Sequence, residues 1–353
     1  MNLLFIEKVI LFCLYKIDGE RTIYSIYHLL KGKKSSQTLQ DAHLFQLLPY
    51  FGSYHQITRE QLESIIKTLL NQGHIMKKQD SHVLVTEKGL EIVKPFCNQY
   101  PILKYLNGWT FQYTEIFWRR LSLLVQVASN LQHGETRYLP IQKDREVQIW
   151  LKKFLLTIPV NRSELSEVLL KELIGCFENE PDLDPSSVVI RLTGYNTIGL
   201  TDQQAAGVLN IENSFYHYNF ISLLHYMISV ISTNPECYPI LFSMIDNFNE
   251  ELPLTHSTKS TYNLIQKGYS IEEIAFMRRL KMSTIHDHIV ELALNMKNFS
   301  IEPYVNENEQ AEILAAAKIS PSKQLKQIRQ YVQHMDYFKI RLVISKFGDS
   351  KWS

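Results

Sequence analysis

Ser257-Thr-Lys-Ser-Thr-Tyr-Asn-Leu-Ile-Gln-Lys-Gly-Tyr-Ser-Ile-Glu-Glu-Ile-Ala-Phe-Met-Arg-Arg-Leu-Lys-Met-Ser-Thr-Ile-His-Asp-His-Ile289 is the stretch from which the rest of this 353-residue chain is read. Its pattern predicts a helix over Ser257 to Lys267, ended by Gly268, the residue type that best accepts the left-handed backbone of a helix terminus. Ser270 and Glu273 have the S-x-x-E spacing of a capping box, opening a short helix with Ile271, Ile274, Ala275 and Met277. Leu280-Lys-Met then turns the chain. Ser283 is the expected cap of a third helix whose Ile285, Ile289 and Leu292 share one face, leaving Thr284, His286, Asp287 and Glu291 toward solvent. This is trihelical helix-turn-helix organisation. In such folds the third helix enters the major groove with its first turn near base edges and phosphates.

Working outward, a charged linker around Glu302 to Glu309 precedes helices expected over Gln310 to Lys318 and Ser322 to His334. The chain then reaches Asp336-Tyr-Phe-Lys-Ile-Arg-Leu-Val-Ile344, which is expected to pack back on the helix-turn-helix. Upstream, residues 102–250 read as mostly helical, with loops around Gly134 and across Glu178 to Pro185. Gly199 to Asn210 gives a weaker helix-turn pattern there. Pro95 and Pro101 flank the expected domain boundary. Before it, Leu62, Ile65, Ile66, Leu69 and Leu70 form one helical stripe, capped by Thr58 with Gln61 and stopped at Gly73. Two β-compatible runs around Gln79-Asp80-Ser81 follow, then Glu87-Lys88-Gly89. Helix, hairpin, helix is the ending of a winged helix, with Phe5 to Tyr15 and Thr22 to Leu30 as its earlier helices. The fold expected is mainly α and multidomain: a winged helix over 1–98 with a small β wing, a helical middle over 99–250, the helix-turn-helix over 251–300 and a helical extension over 301–353.

Composition is that of a globular protein, with 45% hydrophobic and 21% charged residues, which excludes collagen-like and mostly disordered classes. No run of about 18 apolar residues occurs, and Glu7 and Lys8 interrupt the apolar N-terminus, so neither a membrane span nor a signal peptide is expected. Cys13, Cys97, Cys176 and Cys237 are too dispersed for a C-x-x-C zinc or redox pair. The net charge of +1 divides into +3 over residues 1–98, −5 over 99–250 and +3 over 251–353. Two mildly basic ends around an acidic middle suggest two polyanion-contacting modules separated by the middle.

The residues then become familiar. Gly268, Glu272, Glu273, Ile274, Ala275, Arg279, Leu280, Ser283, Thr284, Ile285 and His288 stand where the C-terminal helix-turn-helix of RecQ-type helicases has its Gly, acidic pair before Ile-Ala, Arg-x-Leu turn and Ser-Thr-Ile-x-x-His. Ile10-Leu-Phe-Cys-Leu-Tyr, Leu30-Lys-Gly-Lys-Lys-Ser, Leu69-Leu-Asn-Gln-Gly-His-Ile and Leu84-Val-Thr-Glu-Lys-Gly are similar to the winged helix that follows the RecQ motor. The chain as a whole resembles the YpbB-like accessory proteins of low-GC Gram-positive bacteria, whose genes tend to accompany a RecQ-type helicase gene. It departs from the helicases in lacking G-x-x-x-x-G-K-[ST], the Asp-Glu-x-His box and a zinc-spaced cysteine set. The resemblance therefore implies a cytoplasmic, nucleoid-associated, non-catalytic DNA-binding protein without cofactor or metal, acting with a RecQ-type helicase in repair and recombination. A stand-alone transcription regulator and a protein-interaction scaffold are the alternatives.

Candidate DNA contacts are cations and small hydroxyls near helix ends, where ammonium groups and free backbone N–H groups both attract phosphate. They are Lys31, Lys33, Lys34 and Ser35, with Ser36, in the basic loop; Lys77 and Lys78, with His82, on the wing; and Arg278, Arg279, Lys281, Ser283, Thr284 and His286 at the helix-turn-helix. Ser260 and Thr261 are weaker candidates on its first helix. As alternatives, the loops are solvated surface and Arg278 or Arg279 pairs with Glu272 or Glu273. The i, i+2 spacing of His286 and His288 puts them on different faces, so no metal pair is expected and His288 is assigned to the core. Phe215, Tyr216, Tyr218 and Phe220 are read as core or a partner surface rather than a base-stacking strip.

Overall fold

A computed structural model describes residues 3–158, 160–249, 254–296, 298–321 and 324–347. Apolar residues at helical spacing bury one side of α1 (Phe5–Ile17), and α2 (Ile23–Leu30) and α3 (Ser36–Leu44) follow. In α4 (Arg59–Asn71) the expected capping box forms: Gln61 N donates to Thr58 Oγ1 at 3.2 Å and Thr58 N to Gln61 Oε1 at 2.9 Å. Gly73 ends that turn at φ 73°. β1 (Ile75–Gln79) and β2 (His82–Val85) pair antiparallel with an irregularity between Lys77 and Gln79, forming the wing. In α5 (Glu87–Gln99), Pro95 lies inside the helix instead of ending it. Thr86 Oγ1 donates to Gly73 O at 2.6 Å and Lys88 Nζ to Gln72 O at 2.7 Å, satisfying carbonyls at the end of α4.

The middle contains α6 (Thr114–Gln132), α7 (Arg145–Thr157), α8 (Leu165–Glu178), α9 (Ser186–Val189), α10 (Asp202–Val208), α11 (Asn213–Thr233), α12 (Pro239–Phe242) and α13 (Asp246–Asn249). The C-terminal part contains α14 (His256–Gln266), α15 (Ile271–Arg278), α16 (Met282–Asn295), α17 (Glu307–Ile319), α18 (Leu325–Tyr331) and α19 (Tyr337–Phe347). The fold is mainly α and multidomain. What reads in sequence as a linker up to Glu309 ends in a capping box, Asn306 with Glu309, that opens α17. The expected start of the next helix, Ser322, lies outside the described residues. Among the described residues no helix is long and apolar enough to cross a membrane.

The chain divides into two compact units, and the division does not follow the sequence order. The first takes the described residues of Met1–Lys8 and Pro95–Glu251; the second takes those of Val9–Lys94 and Leu252–Ser353. In the first unit α11 packs against α6, α8, α9, α10 and α12. Its aromatic run is core, with Tyr216 and Tyr218 wholly buried, and the Phe5 ring packs against Phe96, Tyr100, Phe215 and Tyr218. In the second unit the two mildly basic ends pack together, instead of standing as modules separated by the middle.

Candidate nucleic-acid interface

The helix-turn-helix is built much as its spacing predicts. Ser270 N donates to Glu273 Oε2 at 2.8 Å and Glu273 N to Ser270 Oγ at 3.2 Å, opening α15. Arg279 ends α15 in the left-handed conformation at φ 51°, and its side chain is exposed. The third helix starts earlier than expected. Lys281, not Ser283, occupies the N-cap of α16 without a side-chain capping bond, because the extended backbone falls there; Ser283 is already in the helix. Lys281 and Ser283 are exposed, while Thr284 and His286 are half-buried.

Several polar residues expected at the surface hold the three helices together. Arg278 Nη1 donates to Ser257 O at 2.7 Å and to Thr261 Oγ1, and Nη2 donates to Ser257 Oγ at 3.0 Å. It is committed to α14, and pairs with neither Glu272 nor Glu273. Thr261 is wholly buried, away from any phosphate, with Oγ1 2.7 Å from His288 Nδ1. Because Arg278 donates to Thr261, the hydroxyl proton is left for His288 Nδ1, which fits a neutral imidazole with its proton on Nε2. Burial, then the adjacent Arg278 charge, pull the His288 pKa down to about 4. Glu291, expected toward solvent, is buried. It accepts from Thr255 N at 2.5 Å and Thr258 Oγ1 at 2.6 Å, placing a carboxylate on the first turn of α14.

The flanks of α16 are covered by α14 and α15 and by α3 and α19. His288, Val290, Glu291 and Ala293 are buried along with the expected Ile285, Ile289 and Leu292. His286 stacks on Phe338 of α19 with ring centroids 3.9 Å apart, and burial lowers its pKa. Asp287 is the joint between the two sequence modules. It accepts from Ser36 Oγ at 3.0 Å and pairs with Arg341 Nη1 at 2.5 Å, while Arg341 Nε donates to Gln40 Oε1 at 2.9 Å. Nothing in the sequence singled out Gln40, Asp287 or Arg341 for this role.

This joint ties the start of α3, where the basic loop ends, to the second turn of α16. The loop is itself closely built: Gly32, at φ 70°, approaches Gly52 so nearly that a Cβ would lie 3.0 Å from its Cα, and Lys33 N donates to His28 O at 2.9 Å. Lys33 and Lys34 are exposed, while Lys31 is half-buried over the Tyr27 ring. Ser35 caps α3 by accepting from Thr38 N, and Ser36 is engaged by Asp287. The wing lies elsewhere in the same unit. Ser81 O accepts from Ile23 N at 2.9 Å, so the wing meets the start of α2, whereas the basic loop leaves its end about 12 Å away along the helix. Lys77 and Lys78 are exposed there. A cleft of about 520 Å³ between α4 and the wing is lined by Glu63, Lys67, Lys77 and Asp80 over Ile66 and Leu70. Its charges balance, so it offers phosphate no net attraction.

Residues 7–99 match the family described as RQC domain, the RecQ C-terminal type, and residues 257–344 match a helix-turn-helix domain family. Both are DNA-binding domain families; the helix-turn-helix match lies within the second unit, and the RQC match does so from Val9 to Lys94. Protein YpbB of Bacillus subtilis (strain 168) is 33% identical over 350 residues, which cover 98% of this chain and 98% of that protein. The chain belongs to the YpbB family. No solved structure matches it. In this YpbB-family chain the RQC and helix-turn-helix parts share one compact unit, with Lys33, Lys34, Arg279, Lys281 and Ser283 exposed on it.

Proposed function

We propose that this protein is a non-catalytic DNA-binding accessory of a RecQ-type helicase, acting in DNA repair and recombination in the cytoplasm at the nucleoid. The observation that supports the reading is the joint at Asp287, which ties Ser36, at the start of α3 and next in the chain to the loop with the exposed Lys33 and Lys34, to the second turn of α16, whose N-terminus carries the exposed Lys281 and Ser283. Cations there add to the partial positive charge of a helix N-terminus, and both act on phosphate regardless of sequence. The covered flanks of α16 count against a sequence-reading transcription regulator, since base edges in the major groove are read by the side of a helix as well as its tip.

On the acidic first unit, Leu170 and Ile174 lie one turn apart on α8 and are 56% and 55% exposed, which supports a protein-partner surface there. Sequence patterns for ATP hydrolysis are missing from the chain, so the motor comes from the partner. Unwinding of a forked duplex by a purified RecQ-type helicase, with and without this protein, tests the partnership. The expected result is a change in unwinding rate that depends on this protein's concentration, with no unwinding by this protein alone. Identical rates with and without it would contradict the accessory role.

A further inference from the structure

Phe276 on α15 is 86% exposed, with its neighbour Met277 at 44% and Tyr269, two residues before α15, at 42%. In α15 only Ile274 is buried, so a large aromatic ring is held in water at a cost of about 1.5–3 kcal/mol relative to burying it. The groups around it indicate what would cover it. Arg279, three residues on, turns its exposed side chain outward from a left-handed backbone, and Lys281 is exposed at the N-cap of α16. Neither side chain has a partner among the described residues. An exposed ring beside two exposed cations matches a polyanion that carries flat apolar faces.

We propose that the α15–α16 turn is a stacking platform for an unpaired nucleobase, with Phe276 against the base and Arg279 and Lys281 on the flanking phosphates. The inference rests on the DNA-binding reading and deepens it by assigning a single strand to this surface. Bases inside a duplex are already stacked on both faces, whereas an unpaired base has a face to offer. An apolar protein partner would leave two cations at its rim without compensation. Glu272 and Glu273 lie one turn earlier on α15, with Glu273 held by its capping box, so the strand crosses the other end of the helix. The wing turn Gln79-Asp80-Ser81 contains no aromatic residue, and Phe276 at 86% is far more exposed than Tyr15, Tyr269, Tyr331 or Tyr337 of the same unit, at 42–48%.

The test compares the full chain with Phe276→Ala and Phe276→Trp for equilibrium binding to a labelled oligothymidine strand and to a blunt duplex of equal length. Phe276→Ala is expected to weaken single-strand binding by about 5- to 100-fold, to change duplex binding by less than about 2-fold, and to be rescued by Phe276→Trp. Its unfolding temperature should match that of the wild type, because the ring it removes is in water. Unchanged single-strand affinity in Phe276→Ala, while the wild type binds, would overturn the inference and turn this face toward a protein partner. An equal loss on strand and duplex would overturn base stacking as well. A wild-type chain that binds neither probe would remove the DNA-binding reading itself, and the inference with it.

Discussion

At His288 a buried imidazole is kept neutral by its surroundings, and stability depends on pH as a consequence. Burial and the Arg278 charge bring its pKa from 6.5 to about 4, and burial alone does the same for His43 on α3. The unfolded chain takes up these protons near pH 6.5, while the folded chain resists them until about pH 4. Their contribution is fully present above pH 6.5 and is lost as pH falls from 6.5 toward 4, by up to about 1.4 kcal/mol per pH unit for each histidine. Urea unfolding between pH 7.5 and 5.5 checks this: the midpoint should fall steadily below pH 6.5, and a flat midpoint would show that neither imidazole is held neutral. The core assignment of His288 was legible in its i, i+2 spacing from His286, which puts the two rings on different faces. The burial of Thr261 and Glu291 and the engagement of Arg278 by α14 were not, because a polar side chain shows its sign and length in the sequence but not the partner it finds. Glu291 is 36 and 33 residues from Thr255 and Thr258, and no local motif joins it to them.

Individual elements followed their signals where the signal was local. Both capping boxes singled out at Thr58–Gln61 and Ser270–Glu273 form, and Gly73 and Gly268 take the positive φ that ends a helix. The wing docks because α5 begins against the turn leaving α4, and Gly89 makes that approach possible. A Cβ there would lie 2.3 Å from His74 O and 2.6 Å from Val85 Cγ1. Gly89→Ala is therefore expected to destabilise the protein by about 1–3 kcal/mol, at the upper end because one clash is with backbone that cannot rotate aside. A lowered urea midpoint checks it, and an unchanged one would mean the wing is not held against α5. The start of α16 was misplaced because a serine is the better statistical cap, whereas Leu280-Lys281 already supplies the extended backbone. The solvent face expected on α16 is partly covered for a different reason: its helical period was read correctly, but α14 takes up Glu291, and α3 and α19, distant in sequence, engage His286 and Asp287.

For the molecule as a whole, the decisive feature is that residues near opposite ends of the chain form one unit. Charge by segment correctly marked both ends as basic, and the family patterns marked both as DNA-binding domains. Their union through Ser36, Gln40, Asp287 and Arg341 was not legible, since many carboxylate–guanidinium pairings satisfy the same sequence. On the proposed DNA-binding reading, having both sets of cations on one unit spares a ligand the ordering of a linker between separated modules. The most direct test is the affinity of the full chain for forked DNA across a range of salt, compared with Lys33→Ala/Lys34→Ala/Lys281→Ala. If these lysines meet phosphate together, the triple variant should bind more weakly on every sequence, and the slope of log affinity against log salt should shrink by about 2–3. Equal affinity and an equal slope in the two proteins would contradict a shared phosphate-binding surface at the α2–α3 loop and α16.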